Sequence, residues 1–160
     1  MSAGKTIQFT LNGRSVSAAI GTHWNLVELL HQQGLTGARE SCGQGLCGCC
    51  TVLVDGVAVS GCLYLAVRVD GEAVTTVESL DEAGALSPVQ QAFIDTQAAQ
   101  CGYCLNGMLM MTVALLKRHP QPTDAQIRQA LSGNVCRCGT HLEIMAAVKE
   151  AAQRMATLSA

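Results

Sequence analysis

Residues 42–50 read Cys-Gly-Gln-Gly-Leu-Cys-Gly-Cys-Cys, which places Cys42, Cys47 and Cys50 in a C-x4-C-x2-C pattern. Cys62 follows after eleven intervening residues. This spacing is typical of the four thiolate ligands of a plant-type [2Fe–2S] cluster. The glycines between the cysteines let the chain wrap around a cluster and turn its N–H groups towards sulfur. The first half of the chain therefore predicts one [2Fe–2S] cluster.

A structural zinc site is the alternative for these four cysteines. Zinc sites usually present two close-spaced cysteine pairs, whereas Cys62 stands alone after a predicted hairpin, so the cluster is favoured. Cys49 lies between two predicted ligands. Adjacent side chains point apart, so we do not expect Cys49 and Cys50 to bind one metal together. We interpret Cys49 as a small filler beside the cluster.

The chain around this loop predicts a small mixed sheet with one main helix. Apolar and polar residues alternate over residues 5–20, and Asn12-Gly13 supplies the turn of a β-hairpin. Asp55-Gly56 marks a second hairpin. Residues 25–33 predict a helix, and residues 74–77 predict one more short strand.

The second half of the chain predicts four helices, because capping signatures recur ahead of apolar runs. Ser87 is the predicted cap of the first helix and is followed by a proline, and Asn106 is expected to cap the second. Thr123 and Thr140 precede the last two helices. The predicted helices cover residues 88–99, 106–118, 124–132 and 141–156. Short connections between them favour a compact bundle.

These patterns together predict an α+β fold with two domains. Residues 1–78 are expected to form the sheet domain, residues 79–86 a linker, and residues 87–160 the helical domain. Hydrophobic residues make up 49% of the 160 residues but aromatic residues only 3%. Small domains with few large side chains often need a further stabiliser such as a metal site.

The nine cysteines are the outlying feature of the composition. Disulfides need an oxidising compartment, and the N-terminal residues show no apolar signal core. We therefore expect a cytoplasmic protein, or one attached to a membrane or exported through a partner, whose clustered thiols bind metal. The net charge of −2 gives no sign of nucleic-acid binding. No apolar segment is long enough to span a membrane, so we expect no direct membrane insertion.

Four further cysteines lie at two junctions of the predicted bundle. Cys101 and Cys104 lie between the first and second helices, and Cys136 and Cys138 lie between the third and fourth. Together they can close a second four-thiolate site. Cys104 and Cys138 precede predicted helix starts, where free N–H groups favour negative sulfur. By spacing alone, zinc is a serious alternative to a cluster at this site.

The two cysteine patterns, in this order, resemble those of the small [2Fe–2S] subunits of the xanthine oxidase family of molybdenum hydroxylases. The residues that carry this likeness lie at 42–52, 62, 100–104 and 133–139. The likeness covers almost the whole chain and favours a cluster over zinc at the second site. The run from Gln90 to Glu143 looks most like the small subunit of two-component nicotinate dehydrogenases, whereas the loop Arg39 to Cys42 looks less like them.

The resemblance implies a β-grasp ferredoxin-like fold for the first domain and a four-helix bundle for the second, whose cluster lies nearer the molybdenum. It also implies that Gln100 and Cys138 contact the pterin of a molybdopterin, in its cytosine dinucleotide form. A large catalytic partner subunit would hold that cofactor. One position departs from the family pattern, because Asn106 stands where many members have proline.

The resemblance further implies a redox subunit with no catalytic residue of its own. Electrons from the molybdenum are expected to pass through the bundle cluster and then the β-grasp cluster to an outside acceptor, a flavin subunit or a cytochrome. The substrate of the whole enzyme is expected to be an N-heteroaromatic compound such as nicotinate. A freestanding two-domain ferredoxin, a zinc-binding interaction module and a redox sensor are the alternatives.

Overall fold

The computed structural model describes residues 4–81 and 84–158. The first half forms a five-stranded mixed sheet in the order β2-β1-β5-β3-β4, with one α-helix packed on it. Its elements are β1 (Gly4–Leu11), β2 (Arg14–Gly21), α1 (Leu26–Gln32), β3 (Thr51–Val54), β4 (Val57–Ser60) and β5 (Ala73–Thr75). Strands β1 and β5 are parallel, and the other paired strands are antiparallel. The predicted mixed sheet and its main helix are confirmed.

Both hairpins turn where the sequence predicts. Asn12 and Asp55 adopt left-handed φ angles of 50° and 48°, and each is followed by a glycine that does the same. Two successive left-handed residues match the right-handed twist of the strands that they join. The second hairpin brings β3 and β4 together directly after the first cysteine loop, which fixes where Cys50 and Cys62 lie.

Over its described residues the second half contains four α-helices, as predicted. They are α2 (Pro88–Asp95), α3 (Leu105–Arg118), α4 (Asp124–Ala130) and α5 (His141–Leu158). The prediction placed the end of the first helix at residue 99, which is wrong. Gln97 adopts a left-handed φ of 53°, and the Ala98 N–H donates to the Phe93 carbonyl, so the helix closes at Asp95.

The predicted capping role of Asn106 is also wrong. Helix α3 begins at Leu105 with Cys104 as its N-cap, so Asn106 lies inside the first turn. The Asn106 side-chain amide instead donates to the Gly37 carbonyl across 3.0 Å. Asn106 therefore joins the two halves of the chain rather than closing its own helix.

Each half has its own hydrophobic core, and a third, smaller cluster lies between them. In this cluster Leu53 of β3 packs with Met110 and Ala114 of α3. Residues 82 and 83 of the predicted linker lie outside the described residues, so its boundaries stay a prediction. Across residues 4–81 and 84–158, no helix combines the length and apolar character needed to cross a membrane.

Candidate metal centres

The first cysteine loop is shaped by glycines. Gly43, Gly45 and Gly48 all have φ between 63° and 71°, a region that side chains disfavour. This winding turns the N–H groups of Gln44 and Leu46 towards Cys42 Sγ, each at 3.4 Å. These two bonds, with a further contribution from Cys47, lower the pKa of Cys42 to about 6. The loop is therefore built to hold negative sulfur.

The four thiols of this set form two pairs. Cys50 Sγ lies 3.3 Å from Cys62 Sγ, and Cys42 is hydrogen-bonded to Cys47. Burial raises the pKa of Cys50 to about 11, which keeps its thiol protonated until a metal displaces the proton. A dinuclear cluster needs two thiolates on each iron, so two pairs fit it.

The second set repeats this pairing at the helix junctions. Cys101 contacts Cys138, and Cys104 contacts Cys136. All four cysteines line one small cavity. The two helix–helix connections therefore bring the second predicted ligand set together, as the first loop and its hairpin do for the first.

Hydrogen bonds tune the thiols of the second set differently. Burial acts to raise the pKa of Cys136, but hydrogen bonds from the Thr140 hydroxyl, at 3.5 Å, and from the N–H groups of Thr140 and Gly139 outweigh it and lower the pKa to about 6. The Tyr103 N–H lowers the pKa of Cys101. Burial raises the pKa of Cys104 to about 11. Each set thus contains donors aimed at sulfur, which favour a negatively charged cluster.

A single zinc ion would need four ligands converging on one point. The thiols are instead gathered two by two, in both sets. The donor chemistry and this pairing both fit [2Fe–2S] clusters.

Gln100 borders the second set on its solvent side. Its exposed side chain lines the cavity of the four cysteines and also a neighbouring open pocket of about 390 Å³. Gln97 and Glu143 line the same open pocket. Cys138 is partly buried and lines the cavity of the four cysteines together with Gln100.

The two cysteine sets meet through backbone contacts. The Val135 N–H, next to Cys136, donates to the carbonyl of Cys47 across 3.0 Å. The Asn134 amide approaches the Gly48 carbonyl at 3.4 Å. Gly107 of α3 lies against the same stretch, where any Cβ would overlap the Gly48 carbonyl oxygen. Two successive peptide groups of the first loop, with the carbonyls of Cys47 and Gly48, are therefore held against the second set.

Arg39 forms a second link that sequence reasoning missed. Its backbone N–H donates to the Cys49 carbonyl, while its guanidinium donates to the carbonyls of Gly102 and Tyr103, each at 3.0 Å. The guanidinium also lies 5.2 Å from the centre of the Tyr103 ring. The sequence does show an arginine three residues before the first proposed ligand. Its partners could not be identified from the sequence, because they are more than sixty residues away along the chain.

Arg39→Met should loosen this link while leaving both cysteine sets intact. Hydrogen bonds to a charged group contribute about 2 kcal/mol, so we expect the apparent Tm of the cluster-loaded protein to fall by roughly 5 °C. Arg39→Lys keeps the positive charge but loses the forked guanidinium, so its Tm should lie between those of wild type and Arg39→Met. Circular dichroism melts measure this, and an unchanged Tm in Arg39→Met would show that the link carries no stability.

Cys49 is the one cysteine outside both sets. The residue is 4% exposed, and its thiol lies near both Cys47 and Cys104. Burial first, then the neighbouring Cys47, raises the pKa of Cys49 to about 12. A thiol that stays protonated packs as a small apolar group. The interpretation of Cys49 as a filler stays a prediction.

Two family models match the chain. A 2Fe-2S iron-sulfur cluster binding domain matches residues 9–73, and a [2Fe-2S] binding domain matches residues 76–149. Each model contains one of the two cysteine sets.

Related proteins match over nearly their whole length. The chain is 49% identical to a nicotinate dehydrogenase subunit from Pseudomonas putida, over 92% of this chain and 95% of that protein. It is 46% identical to the xanthine dehydrogenase iron-sulfur-binding subunit of Escherichia coli O157:H7, over 83% and 85% of the two chains.

Solved structures share the fold. Quinoline 2-oxidoreductase from Pseudomonas putida 86 superposes with a TM-score of 0.93 at 34% identity, covering 98% of both chains. Aldehyde oxidoreductase from Desulfovibrio gigas gives 0.91 at 32% identity, covering 96% of this chain but 17% of that one. The predicted fold class is confirmed by these neighbours.

Proposed function

Because this chain belongs to the small iron–sulfur subunits of the xanthine oxidase family of molybdenum hydroxylases, we propose that its eight paired thiols carry electrons out of a molybdenum enzyme. The single observation that supports this assignment is the pairing of thiols within each set. The proposed ligands of the first cluster are Cys42, Cys47, Cys50 and Cys62. Those of the second are Cys101, Cys104, Cys136 and Cys138.

The clusters supply one-electron transfer between the partner's molybdopterin centre and an outside acceptor. The chain's own residues position the clusters and tune them. Donors to Cys42 and Cys136 favour added negative charge on each cluster. The junction of Val135 with Cys47 brings the two sets side by side. Substrate chemistry belongs to the large molybdenum-binding partner subunit.

The second cluster is proposed to face the molybdenum. Gln100 and Cys138 both reach the solvent side of the second set, where a pterin held by the partner could contact them. The family likeness supports three further proposals. The molybdopterin is in its cytosine dinucleotide form, the substrate is an N-heteroaromatic compound such as nicotinate, and the acceptor is a flavin subunit or a cytochrome.

We propose the same domain division as above, into residues 1–78, 79–86 and 87–160. We also propose that the protein is located in the cytoplasm.

Counting iron and acid-labile sulfide tests the proposal most directly. Two clusters require four irons per chain, and dithionite reduction should then give two distinct rhombic EPR signals at low temperature. Two irons, one signal and stoichiometric zinc would contradict the assignment of the second set. A large molybdenum-containing chain should co-purify with this one, whereas a freestanding carrier would purify alone.

Gln100→Ala should slow the arrival of electrons from the molybdenum while leaving both EPR signals in place. The side chain is exposed, so its loss leaves the fold intact. Substrate-driven reduction of the clusters, followed by stopped-flow absorbance, measures the effect, which we expect to be about tenfold or more. Gln97→Ala is the matched control, because Gln97 lines the same pocket. Wild-type rates in Gln100→Ala would remove Gln100 from the proposed route.

A further inference from the structure

Exposed leucines lie on the outward side of the first cysteine loop. Leu46 is 66% exposed, Leu63 is 60% exposed and Leu65 is 46% exposed. Leu63 lies against the loop, because its Cδ1 is 2.5 Å from where a Cβ on Gly45 would be. We call these three leucines the outer patch.

Two carboxylates border the outer patch. Asn25, which pairs with Leu65 in an isolated β-bridge, donates its backbone N–H to Glu28 at 2.7 Å and its amide to Glu40 at 3.1 Å. Glu40 also reaches to 3.2 Å from the Cβ position of Gly43 in the cysteine loop. Asn25 is neutral, so it holds the two carboxylates without cancelling their charge. The apolar patch therefore has a negative edge.

We propose that the outer patch, with Glu28 and Glu40 on its edge, docks the electron acceptor, and that this acceptor is a one-electron redox protein with a basic surface around its cofactor. The inference rests on the proposed function, in which the first cluster is the exit. One electron passes from the reduced first cluster to the oxidised acceptor in each encounter, and no bond or proton is exchanged.

The composition of the surface supports a transient encounter. Electron-transfer complexes bury less than about 1,200 Å² in total over both partners, so a small apolar patch with a charged edge suits one. Carboxylates at the rim raise the rate of association with a cationic partner and make that rate depend on salt. The glycines of the loop add no side chains between the surface and the thiols. Together these features favour rapid, reversible approach to the first set.

Horse-heart cytochrome c, a basic one-electron haem protein, is the probe. The purified complex of this chain with its large subunit is reduced with dithionite, desalted and mixed with oxidised cytochrome c in a stopped-flow instrument. Binding of cytochrome c to the oxidised complex is measured separately by calorimetry at low salt. The variants are Leu63→Ser and Glu40→Lys. Val57→Ser and Asp81→Lys are the controls, since Val57 is 65% exposed and Asp81 is also exposed.

We expect Leu63→Ser to weaken binding and electron transfer about fivefold or more, and Glu40→Lys to do so with a flatter salt dependence. The controls should match wild type, and all variants should keep both cluster signals and the large subunit. Equal binding of wild type and Leu63→Ser, or no binding of cytochrome c to wild type, would overturn the docking proposal. So would loss of the large subunit from Leu63→Ser, because the patch would then belong to that interface. Failure of the proposed function would give a different result, because the wild-type protein itself would then contain fewer than two clusters or would purify without molybdenum.

Discussion

Cys47→Ala should remove two of the four irons expected per chain, whereas Cys49→Ala should remove none. The two residues are neighbours in one loop, but Cys47 is hydrogen-bonded within the first set and Cys49 is a buried thiol whose pKa is raised to about 12. A cluster that loses one of its four thiolates loses most of its binding energy, because metal binding and folding of the loop are coupled. Iron and sulfide analysis with EPR measures the outcome.

The pair of variants carries its own control. Both remove one sulfur from residues 42–50, so an effect of lost bulk should appear in both proteins. Only a ligand role separates them. Four irons in Cys47→Ala, or two in Cys49→Ala, would contradict the proposed ligand set. Both results together would put Cys49 in the place of Cys47.

Gly107→Ala should force α3 away from the first cysteine loop. The new methyl group would overlap the Gly48 carbonyl oxygen and lie 3.2 Å from Cys49 Cα, and both are backbone atoms that cannot turn aside. Overpacking at such a site costs about 3 kcal/mol, so the apparent Tm of the loaded protein should fall by roughly 10 °C. The magnetic interaction between the two reduced clusters should weaken in the EPR spectrum, because the loop and the second set move apart.

Gly133→Ala is the matched control for this prediction. Gly133 also lies beside the second set, but a Cβ there would meet nothing within 4 Å. The control should keep the Tm within about 2 °C of wild type and leave the EPR spectrum unchanged. Equal Tm values and spectra for the two variants would show that the close approach of Gly107 to Gly48 does not set the distance between the halves.

Local signals in the sequence were sufficient for most of the fold. The hairpins at Asn12 and Asp55 and the helix that begins after Ser87 follow from turn and cap chemistry within a few residues. The spacing of the cysteines predicted the first ligand set, whereas the family resemblance was needed to favour a cluster over zinc at the second. Errors arose where distant residues compete. Asn106 is a good cap by type, but Gly37, 69 residues away, takes its amide.

The junction between the cysteine sets could not be predicted. The hydrogen bond from Val135 to Cys47 joins backbone atoms, so the residue type at either position does not predict it. The sequence shows the guanidinium of Arg39, but its acceptors are the backbone carbonyls of Gly102 and Tyr103, which any residue type could supply. Long-range packing, such as that of β3 against α3, brings these atoms together.

A junction made from main-chain atoms has a consequence for hybrid proteins. Since Cys47 and Val135 meet through their peptide groups, the ferredoxin-like half of one relative should dock on the helical half of another without matched side chains at that bond. The remaining requirements are that Gly48 and Gly107 both stay glycine and that Arg39 and Asn106 keep their links to backbone carbonyls of the other half. Exchanging halves among relatives would then allow clusters of different potential to be combined in one chain.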